Sequence, residues 1–163
     1  MKIDLFIKIR LSTFENIGSG PIHLLEIELH TNSMWIVFNE EIINNLTEHD
    51  LEQILLGFSH LLKSVAPVFE MCSRQDLHVV PQVKANHTEK PTIFIYDRYP
   101  GGIGLSETIY KQMDIIIEET IHWVSRCQCK NGCPSCVGAN IDKKMVQQFL
   151  HFLIKNESNN LSR

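Results

Sequence analysis

Cys127, Cys129, Cys133 and Cys136 place four of the chain's five cysteines within one ten-residue run, spaced C-x-C-x3-C-x2-C. A thiolate is both a nucleophile and a soft metal ligand, and four of them make up the set that closes a tetrahedral structural zinc site. Gly132, between the two pairs, is expected to take the positive φ that reverses the chain, and Pro134 to stiffen the second arm. Other chemistries compete for the same residues. A redox dithiol would use only the Cys133–Cys136 spacing and calls for a thioredoxin-like strand–helix–strand setting that the flanking pattern lacks. A 4Fe-4S cluster also takes four thiolates, and spacing leaves it open beside Zn2+. Disulfides call for an oxidising compartment, to which nothing else in the chain points. Zinc is the primary expectation. Cys72, outside the run, reads as a packing residue.

A second stretch that could do chemistry is Asp97-Arg98-Tyr99-Pro100-Gly101-Gly102-Ile103-Gly104, which joins an apolar strand to a helix. Its glycines either present backbone N–H groups to a phosphate oxygen at the helix start or let the backbone pack closely, and residue types alone leave both open. Asp97, Arg98 and Tyr99 would be the residues to watch in a metal-dependent nuclease or hydrolase. A catalytic zinc, however, keeps an open position with His or carboxylate ligands; four cysteines close the shell, and no H-E-x-x-H is present. His23 and His30 have no cysteine or carboxylate partner set nearby and read as ordinary polar residues. The residues 17–21, Ile-Gly-Ser-Gly-Pro, read as a turn. Neither G-x-x-x-x-G-K-[ST] nor an Asp-Glu-x-His box occurs, so no ATPase motor lies in these 163 residues.

Arg126, Lys130, Lys143 and Lys144 flank the cysteine run and could touch a DNA backbone or simply face solvent. The chain carries 15 Lys and Arg against 19 Asp and Glu, a net charge of −4, so it is no free-standing electrostatic clamp. Any nucleic-acid contact is expected to be local or shared with a partner.

The elements that must hold the cysteines follow from periodicity. With 44% hydrophobic and 21% charged residues, the length fits one α+β domain over residues 1–155 with a flexible polar tail at 156–163. No membrane span or signal peptide is legible, and a cytoplasmic location is expected. Ile3, Leu5, Ile7, Ile9 and Leu11 alternate with polar residues as a half-buried strand. Because that strand begins almost at Met1, the chain is expected to be a piece of something longer. Leu25, Ile27 and Leu29 suggest a second strand, and residues 34–38 a central strand, arranged as an antiparallel meander.

Thr47, with Asp50 three residues on, opens a core helix through Leu51, Ile54, Leu55, Phe58, Leu62 and Val65 that is expected to stop at Pro67. Pro81 marks residues 77–83 as an edge strand, and 92–96 is a further strand. One long helix is expected from Leu105 to Val124, delivering Arg126 and the first cysteine, and a last helix capped by Asn140. The picture is a small, mainly antiparallel sheet with about three helices and a four-cysteine zinc knuckle between the last two.

The run Tyr96-Asp97-Arg98-Tyr99-Pro100-Gly101-Gly102-Ile103-Gly104-Leu105, followed some twenty residues later by Cys-x-Cys-x3-Cys-Pro-x-Cys, resembles the zinc-binding C-terminal (MZB) domain of MrfA-type DExH-box helicases. The turn at residues 18–21, the strand end at 28–31 and the segment 71–77 share the likeness, which covers nearly the whole chain. The resemblance implies that Cys127, Cys129, Cys133 and Cys136 are the zinc ligands. It implies a DNA repair helicase of the 3′ to 5′ single-strand translocase type, serving mitomycin-class lesions, with motor domains in cis or in trans as partners. It also implies single-stranded or forked DNA reached through the complex. From their charge and their place at the glycine turn and around the knuckle, Arg98, Gly101, Gly102, Arg126, Lys130, Lys143 and Lys144 are candidate DNA or motor contacts. The departure is the missing motor itself.

Overall fold

Helix α2 (Glu48–Phe69) begins where the Thr47 hydroxyl accepts the Asp50 N–H at 3.1 Å, the N-cap that the sequence announces. Its apolar stripe, Leu51, Ile54, Leu55, Phe58, Leu61, Leu62 and Val65, is buried, and each such side chain removed from water is worth about 1.5–3 kcal/mol. Pro67 does not end the helix. Near a C-terminus its missing N–H deletes one hydrogen bond only, and the run continues to Phe69 before Met71 turns to φ 47° and the Cys72 N–H reaches the Pro67 carbonyl.

The computed structural model describes residues 5–10, 12–21, 28–44 and 46–160. Strand β1 (Leu5–Ile9) pairs antiparallel with β2 (Asn16–Pro21) as a separate two-stranded sheet. Residues 17–21, expected as a turn, are thus a strand. The reversal falls earlier, where Arg10 and Phe14 exchange backbone hydrogen bonds with the residues around them and Phe14 takes φ 55°. A ladder needs backbone groups rather than side chains, so glycine and serine did not prevent it. Of the strand expected at 25–29, residues 25–27 lie outside the described residues, and Leu29 is exposed and outside any strand.

The main sheet is antiparallel in the order β3-β5-β4, from β3 (Ser33–Val37), β4 (Leu77–Gln82) and β5 (Thr92–Asp97). Residues 34–38 therefore supply an edge rather than the centre, and the order is not a simple meander. β5 takes the middle, with Ile93 and Ile95 fully buried and ladder partners on both sides, while β4, with Pro81, forms the other edge. Between β3 and α2 lies the short α1 (Glu40–Ile43).

The long helix expected after the glycine turn is two, α3 (Leu105–Lys111) and α4 (Met113–Arg126). They break at Gln112, whose N–H is shared between the carbonyls of Thr108 and Ile109. The reason is tertiary: α3 packs on β3 and β5, whereas α4 packs on α2 and α5. Helix α5 (Lys143–Asn160) is capped by Asp142, whose Oδ1 accepts the N–H groups of Lys144 and Met145, and not by Asn140, which has φ 62°. Its backbone continues through residues 156–160.

The core gathers on α2. Phe38 meets Phe58 edge-on at 6.4 Å and Phe149 at 5.7 Å, tying β3's exit to α2 and α5. The result is an α+β domain with a small antiparallel sheet and a cysteine loop between α4 and α5. Among the described residues no helix is long and apolar enough to cross a membrane.

Candidate metal centre

Helix α4 stops at Arg126, and Cys127 leaves it in extended conformation (φ −70°, ψ 126°), aiming the first thiol across the following loop. The second pair closes on itself: the Cys136 and Gly138 N–H groups both reach the Cys133 carbonyl at 3.0 Å, and the Cys133 N–H points at Cys136 Sγ, 3.3 Å away. Gly132 is needed for space and not for its φ. A Cβ there would lie 2.4 Å from the carbonyl oxygens of Gly138 and Ile141, and the positive φ sits instead at Gly138.

All four sulfurs lie within 4.8 Å of one another, with Cys127–Cys129 at 3.5 Å, Cys127–Cys133 at 3.6 Å, Cys129–Cys136 at 3.5 Å and Cys133–Cys136 at 3.4 Å. Zinc–sulfur bonds of about 2.3 Å require tetrahedral edges of about 3.8 Å, which these separations approach. A disulfide would need about 2.05 Å, and none is formed. In a 4Fe-4S cluster each thiolate binds its own iron at a separate corner, which demands a wider spread than this quartet has. Loss of solvent, then hydrogen bonding with Cys127, Cys136 and Cys133, pushes the Cys129 thiol up to about 12. Sulfurs this crowded do not all ionise unaided, and a divalent cation is their chemical complement.

Three helices brace the loop by its carbonyls. Lys143 Nζ, at the start of α5, donates to Cys127 O at 2.5 Å and Cys129 O at 3.4 Å; His60 Nδ1, from α2, lies 2.7 Å from Cys136 O; Trp123 Nε1, from α4, donates to Ser135 O at 2.9 Å. A carbonyl can only accept, so His60 carries its proton on Nδ1. Cys136 is fully buried beside Val137, Ile141 and Val146, which seats the quartet on the main core. None of these braces was foreseen. The readable hint was Lys143 and Lys144 at a helix start, where the positive end of the dipole disfavours cations.

The glycine turn has a different purpose from phosphate binding. Asp97 is fully buried, and its Oδ2 accepts the N–H groups of Ile103 (2.8 Å), Gly104 (2.9 Å) and Leu105 (3.1 Å), while Oδ1 accepts that of Ser106 (2.8 Å). Burial works to raise its pKa, but the N–H groups of Ile103, Ser106 and Leu105 outweigh it and hold the carboxyl below its ordinary value. Gly104, at φ 88°, allows the tight entry. Gly101 N–H goes to the His30 carbonyl and Gly102 N–H to that of Tyr99. Every N–H from 101 to 106 is therefore satisfied, by the Asp97 carboxylate or by the carbonyls of His30 and Tyr99.

Tyr99 donates its hydroxyl to Asp76 at 2.7 Å, and Arg98 is exposed with its N–H on the Asp76 carbonyl. The trio watched for nuclease chemistry is therefore a turn-closing device. His23 lies outside the described residues, and His30 is exposed, 3.6 Å from Glu28. Cys72 stands apart from the quartet; burial, then the Asp76 and Glu70 carboxylates, raise its thiol pKa and leave it a poor nucleophile. Arg126, Lys130 and Lys144 are exposed around the knuckle, whereas Lys143 is 7% exposed and turned inward.

Fold and site together define a four-cysteine zinc-knuckle domain. Residues 58–137 match the MrfA Zn-binding domain, and that stretch of the chain belongs to the family. It is 51% identical over 150 residues to the uncharacterized ATP-dependent helicase YprA of Bacillus subtilis, covering 90% of this chain and 20% of the relative. A crystal structure of the DUF1998 helicase MrfA bound to DNA superposes with a TM-score of 0.82 at 47% identity, covering 92% of this chain and 20% of that one. An uncharacterized protein of Methanocaldococcus jannaschii is 27% identical over 84 residues, half of this chain and 75% of the relative. The chain thus spans about a fifth of the length of the helicases it matches. The four cysteines and the family agree on Zn2+ as the cofactor.

Proposed function

We propose that this chain is the zinc-braced accessory domain of a DNA repair helicase, a rigid platform beside the motor with no ATPase activity of its own. In this reading the motor is a 3′ to 5′ single-strand translocase, joined in cis or in trans, and the lesions served are of the mitomycin class. The observation that carries it is the superposition, over 92% of the chain, on a helicase whose crystal structure holds DNA. Bound zinc would cross-link the end of α4 to the start of α5, and the brace residues would keep that junction from flexing.

The DNA-facing surface in this proposal is the open groove beside the knuckle, about 540 Å³, bordered by Lys130, Asn131, Lys144 and Gln147. Asp142 borders it too, but its Oδ1 is held by the N–H groups of Lys144 and Met145. Arg126 is a further exposed cation at the α4 end, and Arg98 with Gly101 and Gly102 remains a candidate contact for the motor. Such cations position a phosphate backbone without reading its sequence.

The test is binding of a labelled oligothymidylate by fluorescence anisotropy, with the parent chain and the Lys130→Glu, Lys144→Glu double variant. Affinity should fall as salt rises from about 50 to 200 mM, and the variant should bind more weakly with a shallower salt slope. Equal binding by both chains would remove the groove from the account, and ATP turnover by the isolated chain would overturn the motor-free reading.

A further inference from the structure

Asp97 and Lys143 are the only Asp, Glu, Lys or Arg side chains buried in the core among the described residues. The first is answered by four backbone N–H groups. The second is not answered by any anion among the described residues. Lys143 Nζ meets the carbonyls of Cys127 and Cys129, and among the described residues no carboxylate stands within ion-pair distance of it. Two neutral acceptors leave a buried ammonium short of compensation. Its placement adds to the cost, because the first turn of a helix carries the positive end of the dipole.

The missing negative charge is next door. A zinc ion held by four thiolates carries a net charge of about −2, and the two carbonyls that Lys143 grips belong to two of those four residues. We propose that Lys143 is the outer counter-charge of the zinc centre, a positioning residue that couples zinc occupancy to the docking of α5. The charged knuckle accounts for a lysine placed where burial and the helix dipole both disfavour one. The ammonium in turn draws charge from the thiolates and fixes the direction of the Cys127–Cys129 arm, the role that outer partners fill at metal sites. Lys144, one residue on, faces solvent and has no such part.

The inference rests on zinc as the bound ion, and zinc stoichiometry of the parent chain tests that separately. The experiment compares the parent 163-residue chain with Lys143→Met, Lys143→Arg and Lys144→Met. Zinc affinity is read at one fixed pH by competition with a chromophoric chelator, and thermal unfolding is followed with and without zinc. Lys143→Met should bind zinc about 10- to 100-fold more weakly and gain less stability from it, with Lys143→Arg close to the parent and Lys144→Met unchanged. Parent-like affinity in Lys143→Met would overturn the proposal. So would an equal loss of stability in the zinc-loaded and zinc-free forms of that variant, which is what a purely packing role predicts. If Lys143→Met does not fold, Lys143→Arg decides: parent-like affinity supports the counter-charge, and a loss of tenfold or more contradicts it.

Discussion

Asp97 Oδ1 accepts the Ser106 N–H at 2.8 Å, so the last residue of β5 caps the helix that begins eight positions later. One buried carboxylate thereby ties the central strand to α3 and occupies the donors that a phosphate would have used. Asp97→Ala strands those donors in a dry site and should cost about 3 kcal/mol of stability, read from urea denaturation of the zinc-loaded chain. Zinc content should not change, because Asp97 touches none of the four cysteines.

Acid should expose the same cap. The folded carboxyl of Asp97 lies below its ordinary value, so its contribution is full above the unfolded pKa of about 3.9 and is lost as pH falls through the folded value. The stability advantage of the parent over Asp97→Asn, measured by denaturant titration across pH, should be level near neutrality and shrink below about pH 4. An advantage that grew in acid would reverse the sign and contradict the hydrogen-bonded carboxylate.

Cys133→Ser removes one corner of the quartet and the carbonyl-anchored turn's own thiol. Zinc affinity should fall by more than about a hundredfold, beyond the effect of losing an outer partner. Chelator competition measures it, and unaltered affinity would exclude Cys133 as a ligand.

Gly132→Ala drives a methyl into two backbone oxygens at 2.4 Å, with the Val137 side chain at 2.8 Å. The loop must shift to admit it, at a cost of roughly 2 kcal/mol, visible as a lower melting temperature of the zinc-loaded protein. A neutral outcome would mean that the Gly132–Ile141 contact is looser than described.

What could be read in advance was what is local. The cysteine spacing declares its site because all four ligands fall within one loop, and Thr47 declares its helix because the cap bond spans three residues. Pro81 likewise marks an edge by lacking a donor. The features that stayed hidden depend on distant partners. Nothing in the residues around Gln112 announces a break, which exists because α3 and α4 pack on different elements. Asp97 resembled a candidate acid until the turn folded back on it, and Lys143 resembled its exposed neighbour until α5 placed it under the knuckle. The central place of β5 was set by pairing with strands far apart in sequence, and the strand character of residues 17–21 by pairing with β1.

Elemental analysis of the purified chain tests the central claim most directly. The account predicts one zinc per chain, removed by chelation with loss of stability, and no iron. Iron with acid-labile sulfide, or a folded and equally stable chain containing no metal, would contradict it.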